Sequence, residues 1–167
     1  PFGRYAAPEA LDEAGIRKVI EDFAAAAKRS VEAGFDTIEI HAAHGYLLHQ
    51  FLTPLVNTRT DGWGGSEEGR NRLTLEVIDA VRAVMPDSMP LLLRISATDW
   101  TAGGVDEHTS ARLSAQASAR GVDFVDVSTG GAVPGAAIPV APGYQTGFAE
   151  HVRTHAHVPT GAVGLIR

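Results

Sequence analysis

The sequence predicts an α/β fold in which helices flank a parallel sheet. Amphipathic helical segments and short apolar strands alternate in the order αβαβαβαβ, and no hairpin turn signal joins two strands. The strand segments are apolar nearly throughout, as expected when both faces of a sheet are covered. Two architectures fit this pattern, an open doubly wound sheet and part of a (βα)8 TIM barrel.

The barrel is the better fit of the two. No clean Gly-x-Gly-x-x-Gly segment follows any strand, which weakens the dinucleotide-binding doubly wound alternative. Four βα units make about half of a barrel, whose usual length is about 250 residues. The chain begins at Pro1 without methionine and stops at Arg167 after an apolar run, so residues 1–167 look like one segment of a longer protein.

The first helix is predicted between Asp12 and Gly34. Asp12 is a good N-cap, and Leu11 stands where it would pack on Ile16 as a hydrophobic staple. Apolar residues at steps of three and four continue one helical face as far as Val31. Gly34 occupies the position of a left-handed C-cap.

The first strand is predicted at residues 35–40, FDTIEI, which are bulky, partly β-branched and directly follow the glycine. Residues 41–65 are predicted as one long loop, and loops of this length in compact domains are usually functional. Ser66 then caps a second helix. The remaining predicted elements are a strand at 91–96, a helix at 107–120, a strand at 122–128, a loop at 129–143, a helix around 148–156 and a strand at 161–166.

Composition excludes several classes of protein. The chain has 20 acidic and 14 basic residues, and the net charge of −6 argues against a nucleic-acid-coating protein. No apolar run approaches the roughly 20 residues that span a bilayer, and the first ten residues lack the apolar region of a signal peptide. There is no cysteine, so disulfides and thiolate metal sites are excluded within this chain. A cytoplasmic enzyme without a membrane or nucleic-acid partner fits these observations.

Polar residues follow the predicted strands at the edge where parallel α/β folds bind ligands. His41 and His44 come directly after the first strand, and two imidazoles at this spacing can aim two N–H donors at one oxygen. Tyr46 adds a phenol that could act as a general acid. Metal binding by the histidines, or simple hydrogen bonding to a loop, would explain the same spacing.

Arg94 lies within the apolar strand LLLRIS. A guanidinium there is costly unless it is paired, so it should meet an anionic or polar ligand, or form an internal ion pair. Glu39 and Asp126 are the candidate partners for the ion pair. The sequence leaves these two interpretations equal.

The segments that carry these residues resemble one family along essentially the whole chain. This is the Old Yellow Enzyme family of flavin-dependent NADH:flavin oxidoreductases, also called ene-reductases, and in particular its bacterial branch. The matching segments are DFAAAAKRSVEAGFDTIEIHAAHGYLLHQFLTPLVNTRTDGWGGS, RNRLTLEVI, LLLRIS, GVDFVDVSTGG, PGYQ and PTGAVGLI. The string HAAHGYLLHQFL followed by N-x-R-x-D-x-x-GGS is highly specific.

The resemblance implies a (βα)8 barrel that binds FMN at its C-terminal mouth, with this chain supplying the fourth to seventh strands and the preceding helix. It implies that His41 and His44 bind the carbonyl or nitro oxygen of the substrate and that Tyr46 is the proton donor. Arg94 would approach the flavin. The implied reaction is reduction of an activated C=C bond at the expense of NAD(P)H.

The resemblance further implies that Ser128 and Thr129 line the flavin side of the barrel, with no metal, and that the full-length form is a homo-oligomer. A metal-dependent barrel hydrolase and an inactive fragment of the family are the alternatives. The sequence departs from the family at Trp63, where tyrosine is usual, and at Gly69, where asparagine is usual. Gly69 in the first turn of a helix should weaken that helix by up to about 1 kcal/mol relative to alanine.

Overall fold

The structure is a computed structural model that describes residues 8–166. The prediction that the first ten residues are not a signal peptide concerns mainly residues 1–7, which lie outside the described range. No helix of residues 8–166 is long and apolar enough to cross a membrane. The elements, in chain order, are α1 (Glu13–Glu32), β1 (Ile38–Ala42), α2 (Leu47–Leu52), α3 (Glu67–Arg82), β2 (Leu91–Ser96), α4 (Glu107–Ser118), β3 (Phe124–Ser128), α5 (Thr146–Ala156) and β4 (Thr160–Ala162).

The strands form one parallel sheet in the order β1-β2-β3-β4. A doubly wound sheet reverses its strand order at a switch point, whereas a barrel wall adds each strand next to the previous one. The described strands show no reversal. The predicted α/β class is therefore confirmed, and the strand order is that of a barrel wall.

The two faces of the sheet differ because side chains alternate along each strand. One face carries the apolar residues, among them Ile40, Leu93 and Val125, and packs into the core beneath the helices. The other face, called the inner face here, carries polar residues. His41, Arg94 and Asp126 stand side by side on it, since they are partners in the strand register, and Glu39 precedes them on β1.

Side chains cap the N-termini of α1, α3 and α4, and the sequence indicates the caps at Asp12 and Ser66. The carboxylate of Asp12 accepts the Gly15 N–H at 2.7 Å, and the Ser66 hydroxyl accepts the Gly69 N–H at 3.0 Å. Asp106 and Thr109 form a reciprocal capping box at the start of α4. Each cap satisfies backbone donors that the helix itself leaves unpaired.

Trp63 fastens the loop before α3 to the outer helices. Its ring is almost fully buried, and its Nε1–H donates to a carboxylate oxygen of Glu13 at 2.5 Å. The guanidinium carbons of Arg17 and Arg72 lie 5.0 and 4.2 Å from the ring centroid, within cation–π range. Both arginines also contact Glu76. Trp63 thus anchors the loop and lies outside the candidate site.

Helix α2 contradicts the prediction that residues 41–65 form one loop. It has only six residues, too few for a helical period to stand out, and it forms because it buries Leu48, Phe51 and Leu52. Strand β1 begins three residues later than predicted and extends through His41 to Ala42. Phe35, placed in the strand by its bulk, is 65% exposed instead.

The last strand is shorter than predicted, and smaller differences occur at other ends. Residues Gly164 and Leu165 have φ of +106° and +49°, so the backbone leaves the extended conformation after Ala162. Helix α5 begins two residues earlier than expected, α4 ends two earlier, and β3 starts two later. The element types at these places agree with the sequence pattern.

The expectation that alanine would suit position 69 better than glycine needs correction, because the structure gives Gly69 a packing reason. A Cβ added there would overlap the carbonyl oxygen of Gly64 in the preceding loop. Gly147, in the first turn of α5, has open space around the same position. Both glycines lie in the first turn of a helix, Gly69 as its third residue and Gly147 as its second, and their surroundings are opposite.

We predict that Gly69→Ala lowers the free energy of unfolding although alanine is the better helix former, because the methyl group displaces the loop. Gly147→Ala should raise the free energy of unfolding by up to about 1 kcal/mol. Chemical denaturation of both variants measures the two changes. Stabilisation by Gly69→Ala would contradict the close approach of Gly64.

Candidate active site

Three aromatic rings meet at the carboxyl end of β1. His41 lies in β1, His44 in the turn that follows, and Tyr46 immediately before α2. The ring centroid of His41 is 5.2 Å from that of His44 and 5.4 Å from that of Tyr46. Tyr46 is 65% exposed. The structure thus brings together the three residues predicted to be catalytic.

His44 is held by the ends of the next two strands. Its backbone N–H donates to the Ser96 hydroxyl at 3.0 Å, and that hydroxyl donates to the Gly130 carbonyl at 2.8 Å. Its ring Nε2 lies 2.7 Å from the Ser128 hydroxyl. The position of His44 is therefore set by the sheet as well as by its own turn.

The turn after β1 packs directly against the loop after β3. A Cβ at Gly131, whose φ is +98°, would overlap the backbone of His44. A Cβ at Gly45, whose φ is +76°, would overlap the Gly131 carbonyl oxygen. His44 itself has φ +59°, in the left-handed region. The glycines are needed here because two backbones touch.

Ser128 and Thr129, the residues expected on the flavin side, both contact a buried amide. Thr129 donates its hydroxyl to Gln145 Oε1 at 2.6 Å, and the Ser128 hydroxyl lies 3.3 Å from the same oxygen. Gln145 Nε2 donates to the Val163 carbonyl at 2.7 Å. Gln145 belongs to the PGYQ segment, but nothing in its spacing indicates that it joins the ends of β3 and β4.

Arg94 forms one of the internal ion pairs that its sequence position allowed, and its contact with a ligand stays a prediction. Its Nε lies 3.4 Å from Asp126 Oδ2, so Asp126 is its ion-pair partner. The same Nε is buried and has no hydrogen-bond partner within residues 8–166. The guanidinium shares the inner face with His41 and Glu39. Burial and the neighbouring Asp126 raise the pKa of Glu39, with Arg94 opposing.

The two candidate histidines are kept neutral by their surroundings. Burial lowers the pKa of His41 below 6.5, and the charge of Arg94 lowers it further. Burial and the charge of Arg94 also lower the pKa of His44. Each ring therefore offers one N–H donor and one acceptor near pH 7.

A buried polar pair lies behind the turn and was not foreseen. His49 is only 1% exposed, and its Nε2 lies 3.0 Å from Asp99 Oδ1. Its Nδ1 accepts the Gly45 N–H at 3.0 Å. Asp99 Oδ2 accepts from the Thr53 hydroxyl and the Val105 N–H. Only the presence of histidine within an apolar helical segment could have signalled this arrangement.

No group of three His, Asp or Glu residues within residues 8–166 is placed to hold a metal ion. His41 and His44 have no third ligand of this kind in the described part of the chain. The metal-binding interpretation of the pair therefore gains no support from the geometry.

We predict that Arg94→Gln raises the pKa values of His41 and His44, because it removes the nearby positive charge. Arg94→Lys should leave them closer to the parent values. Ring NMR titration of the histidines measures both. Since the folded pKa values lie below that of an unfolded histidine, stability falls as the pH drops below about 6.5, and Arg94→Gln should lessen that loss. Unchanged or lower pKa values in Arg94→Gln would contradict the arrangement.

Known proteins similar to this chain are reductases and dehydrogenases. It is 50% identical over 159 residues to an NADPH dehydrogenase of Geobacillus thermodenitrificans, a match that covers 95% of this chain and 46% of that protein. An NADPH dehydrogenase of Listeria monocytogenes is 46% identical over 167 residues, covering 99% of this chain and 48% of its own. The chain spans about half the length of these curated relatives.

Solved structures agree with the sequence matches and with the barrel. A 2-naphthoyl-CoA reductase superposes with a TM-score of 0.87 at 29% identity, covering 97% of this chain and 25% of that one. Morphinone reductase superposes with a TM-score of 0.78 at 32% identity, and the match covers 97% of this chain and 42% of that one. Residues 3–167 match the family described as NADH:flavin oxidoreductase / NADH oxidase. The sheet, the ring cluster and these matches together show that the chain belongs to the NADH:flavin oxidoreductase / NADH oxidase family.

Proposed function

We propose that the protein carrying this chain is an FMN-dependent NAD(P)H oxidoreductase that reduces activated C=C bonds of unsaturated carbonyl or nitro compounds. The observation that carries the proposal is the cluster of His41, His44 and Tyr46 beside Arg94, at the carboxyl ends of neighbouring parallel strands. The names of the similar proteins, NADPH dehydrogenase and morphinone reductase, support the same chemistry.

The residues of the inner face fit a flavin. The Arg94 Nε has no hydrogen-bond partner among residues 8–166, and the side chain is 27% exposed, so the guanidinium can donate to a cofactor oxygen or nitrogen. We assign Arg94 to the flavin ring system and place Ser128 and Thr129 on the same side. The hydroxyls of Ser128 and Thr129 already contact Gln145, which makes their part in binding secondary. FMN, when bound, supplies the transfer of hydride from NAD(P)H to the β-carbon of the substrate.

His41 and His44 bind the electron-withdrawing oxygen of the substrate in this proposal. Both rings are neutral, so each can donate one N–H as negative charge develops on that oxygen. The Ser128 hydroxyl lies 2.7 Å from His44 Nε2 and donates to Gln145 Oε1 at 3.3 Å. In this proposal the hydroxyl turns to donate to His44 Nε2 when the substrate binds, which leaves the Nδ1–H of His44 for the substrate.

Tyr46 delivers the proton. Its hydroxyl belongs to the exposed ring next to His41, and it donates its proton to the α-carbon as hydride reaches the β-carbon. The chain's own residues thus orient the alkene, stabilise the developing charge and complete the reduction. Homo-oligomerisation of the whole protein is a prediction from the resemblance, and a cytoplasmic location is a prediction from the composition.

The proposal predicts NADPH-dependent reduction of an unsaturated ketone such as 2-cyclohexen-1-one by the purified protein. His44→Ala should lower kcat/KM roughly 100- to 1000-fold, the usual effect of removing one donor to a developing oxyanion. His44→Asn keeps an N–H donor and tolerates φ +59°, so its loss should be smaller.

Steady-state kinetics with product analysis measure these effects, and thermal unfolding of each variant serves as the control for folding. Full activity in His44→Ala, or no reduction of the alkene by the FMN-loaded parent protein, would contradict the proposed function.

A further inference from the structure

We infer that His49 and Asp99 act as a positioning pair that fixes the turn carrying His44. In this arrangement Asp99 selects the tautomer of His49, and His49 in turn holds the backbone N–H of Gly45. The inference deepens the proposed function and rests on it only where it concerns the effect on catalysis.

The pair lies in a dry part of the core. His49 belongs to α2 and is 1% exposed, and Asp99, in the loop after β2, is fully buried. The 3.0 Å separation of Nε2 and Oδ1 departs from ideal hydrogen-bond alignment, but neither atom has any other polar partner among the described residues. Among the described residues, His49 Nε2 and Asp99 Oδ1 are thus the only polar atoms available to each other.

Asp99 is surrounded by donors. Its Oδ2 accepts from the Thr53 hydroxyl at 2.5 Å and from the Val105 N–H at 2.8 Å. Burial raises the pKa of Asp99, but hydrogen bonds from His49, Thr53 and Val105 outweigh it and hold the pKa below its ordinary value. An ionised carboxylate only accepts hydrogen bonds, so the proton of the facing imidazole nitrogen is on Nε2.

The Gly45 contact requires the same tautomer. Its N–H donates to His49 Nδ1 at 3.0 Å, which is possible only if Nδ1 carries no proton. Gly45 and the preceding His44 both have positive φ, so this bond holds the sharpest part of the turn. The chain of contacts therefore runs from a buried carboxylate to the backbone beside a proposed substrate-binding ring.

A packing role alone would not require this pair. Burying an imidazole and a carboxylate costs free energy unless their polar atoms are satisfied, and an apolar side chain would fill the same space without that cost. In metal sites, carboxylates of this kind orient the ligand histidines, and their removal typically costs 10- to 100-fold in metal affinity or activity.

The tautomer of His49 is the first test. In the 15N-histidine-labelled parent protein, long-range 15N NMR should show a pyrrole-type Nε2 and a pyridine-type Nδ1 for His49. A protonated Nδ1 would overturn the inference. This measurement needs neither cofactor nor substrate, so a protein without reductase activity would refute the proposed function and leave this test intact.

Variants at His49 separate its two contacts. The Oδ1 of asparagine lies as many bonds from Cα as Nδ1 of histidine, so His49→Asn keeps the acceptor for Gly45. The Nε2 of glutamine corresponds in the same way to Nε2 of histidine, so His49→Gln keeps only the donor to Asp99. We expect His49→Asn to retain more kcat/KM than His49→Gln. Equal losses, or a greater loss in His49→Asn, would show that the pair only stabilises the core.

Asp99→Asn completes the test, because it puts a donor against a donor in either amide orientation. If the amide nitrogen points at His49, the proton of His49 must move to Nδ1, where it opposes the Gly45 N–H. If the amide nitrogen points the other way, it opposes the Val105 N–H. We expect kcat/KM to fall roughly 10- to 100-fold, and the Gly45 amide resonance to move in the folded variant. A folded Asp99→Asn with the parent's kcat/KM and Gly45 resonance would overturn the inference.

Discussion

The candidate site depends on the close approach of two backbones, the turn at His44 and Gly45 and the loop at Gly131. No side chain larger than hydrogen fits at either glycine, and the left-handed conformation of the turn brings the His44 ring beside Ser128. Because the two loops follow β1 and β3, their contact bridges over the end of β2. The Ser96 hydroxyl at that end bonds to both loops. The carboxyl edge of the sheet is thereby made into one connected surface.

Electrostatics on the inner face follow from the strand register. Parallel pairing sets His41, Arg94 and Asp126 in one row, so a positive guanidinium is placed between an imidazole and a carboxylate. The charge of Arg94 adds to burial in keeping the histidines neutral. The same guanidinium is only loosely paired with Asp126, at 3.4 Å. A cation in that position suits a bound group with electron-rich oxygen and nitrogen atoms.

Much of this architecture could be predicted from the sequence, because it is encoded locally. The N-caps Asp12 and Ser66 set the starts of α1 and α3. The apolar run before Arg94 marks β2 in the same local way. The three-ring cluster could also be foreseen, since His41, His44 and Tyr46 lie within six residues at the end of one strand. Helix α2 could not be, because six residues give too short a period and the helix is stabilised by tertiary burial. The His49–Asp99 contact joins residues fifty positions apart, which no local pattern shows.

We propose that the inner face of this sheet, with Arg94 at its middle, is the surface that binds FMN. Titration of the FMN-free protein with FMN, followed by flavin fluorescence, tests it most directly. Saturable binding should weaken roughly 10- to 100-fold in Arg94→Gln, as expected for losing a hydrogen bond from a charged donor, and less in Arg94→Lys. Equal FMN affinity in the parent protein and in a folded Arg94→Gln variant would contradict the account.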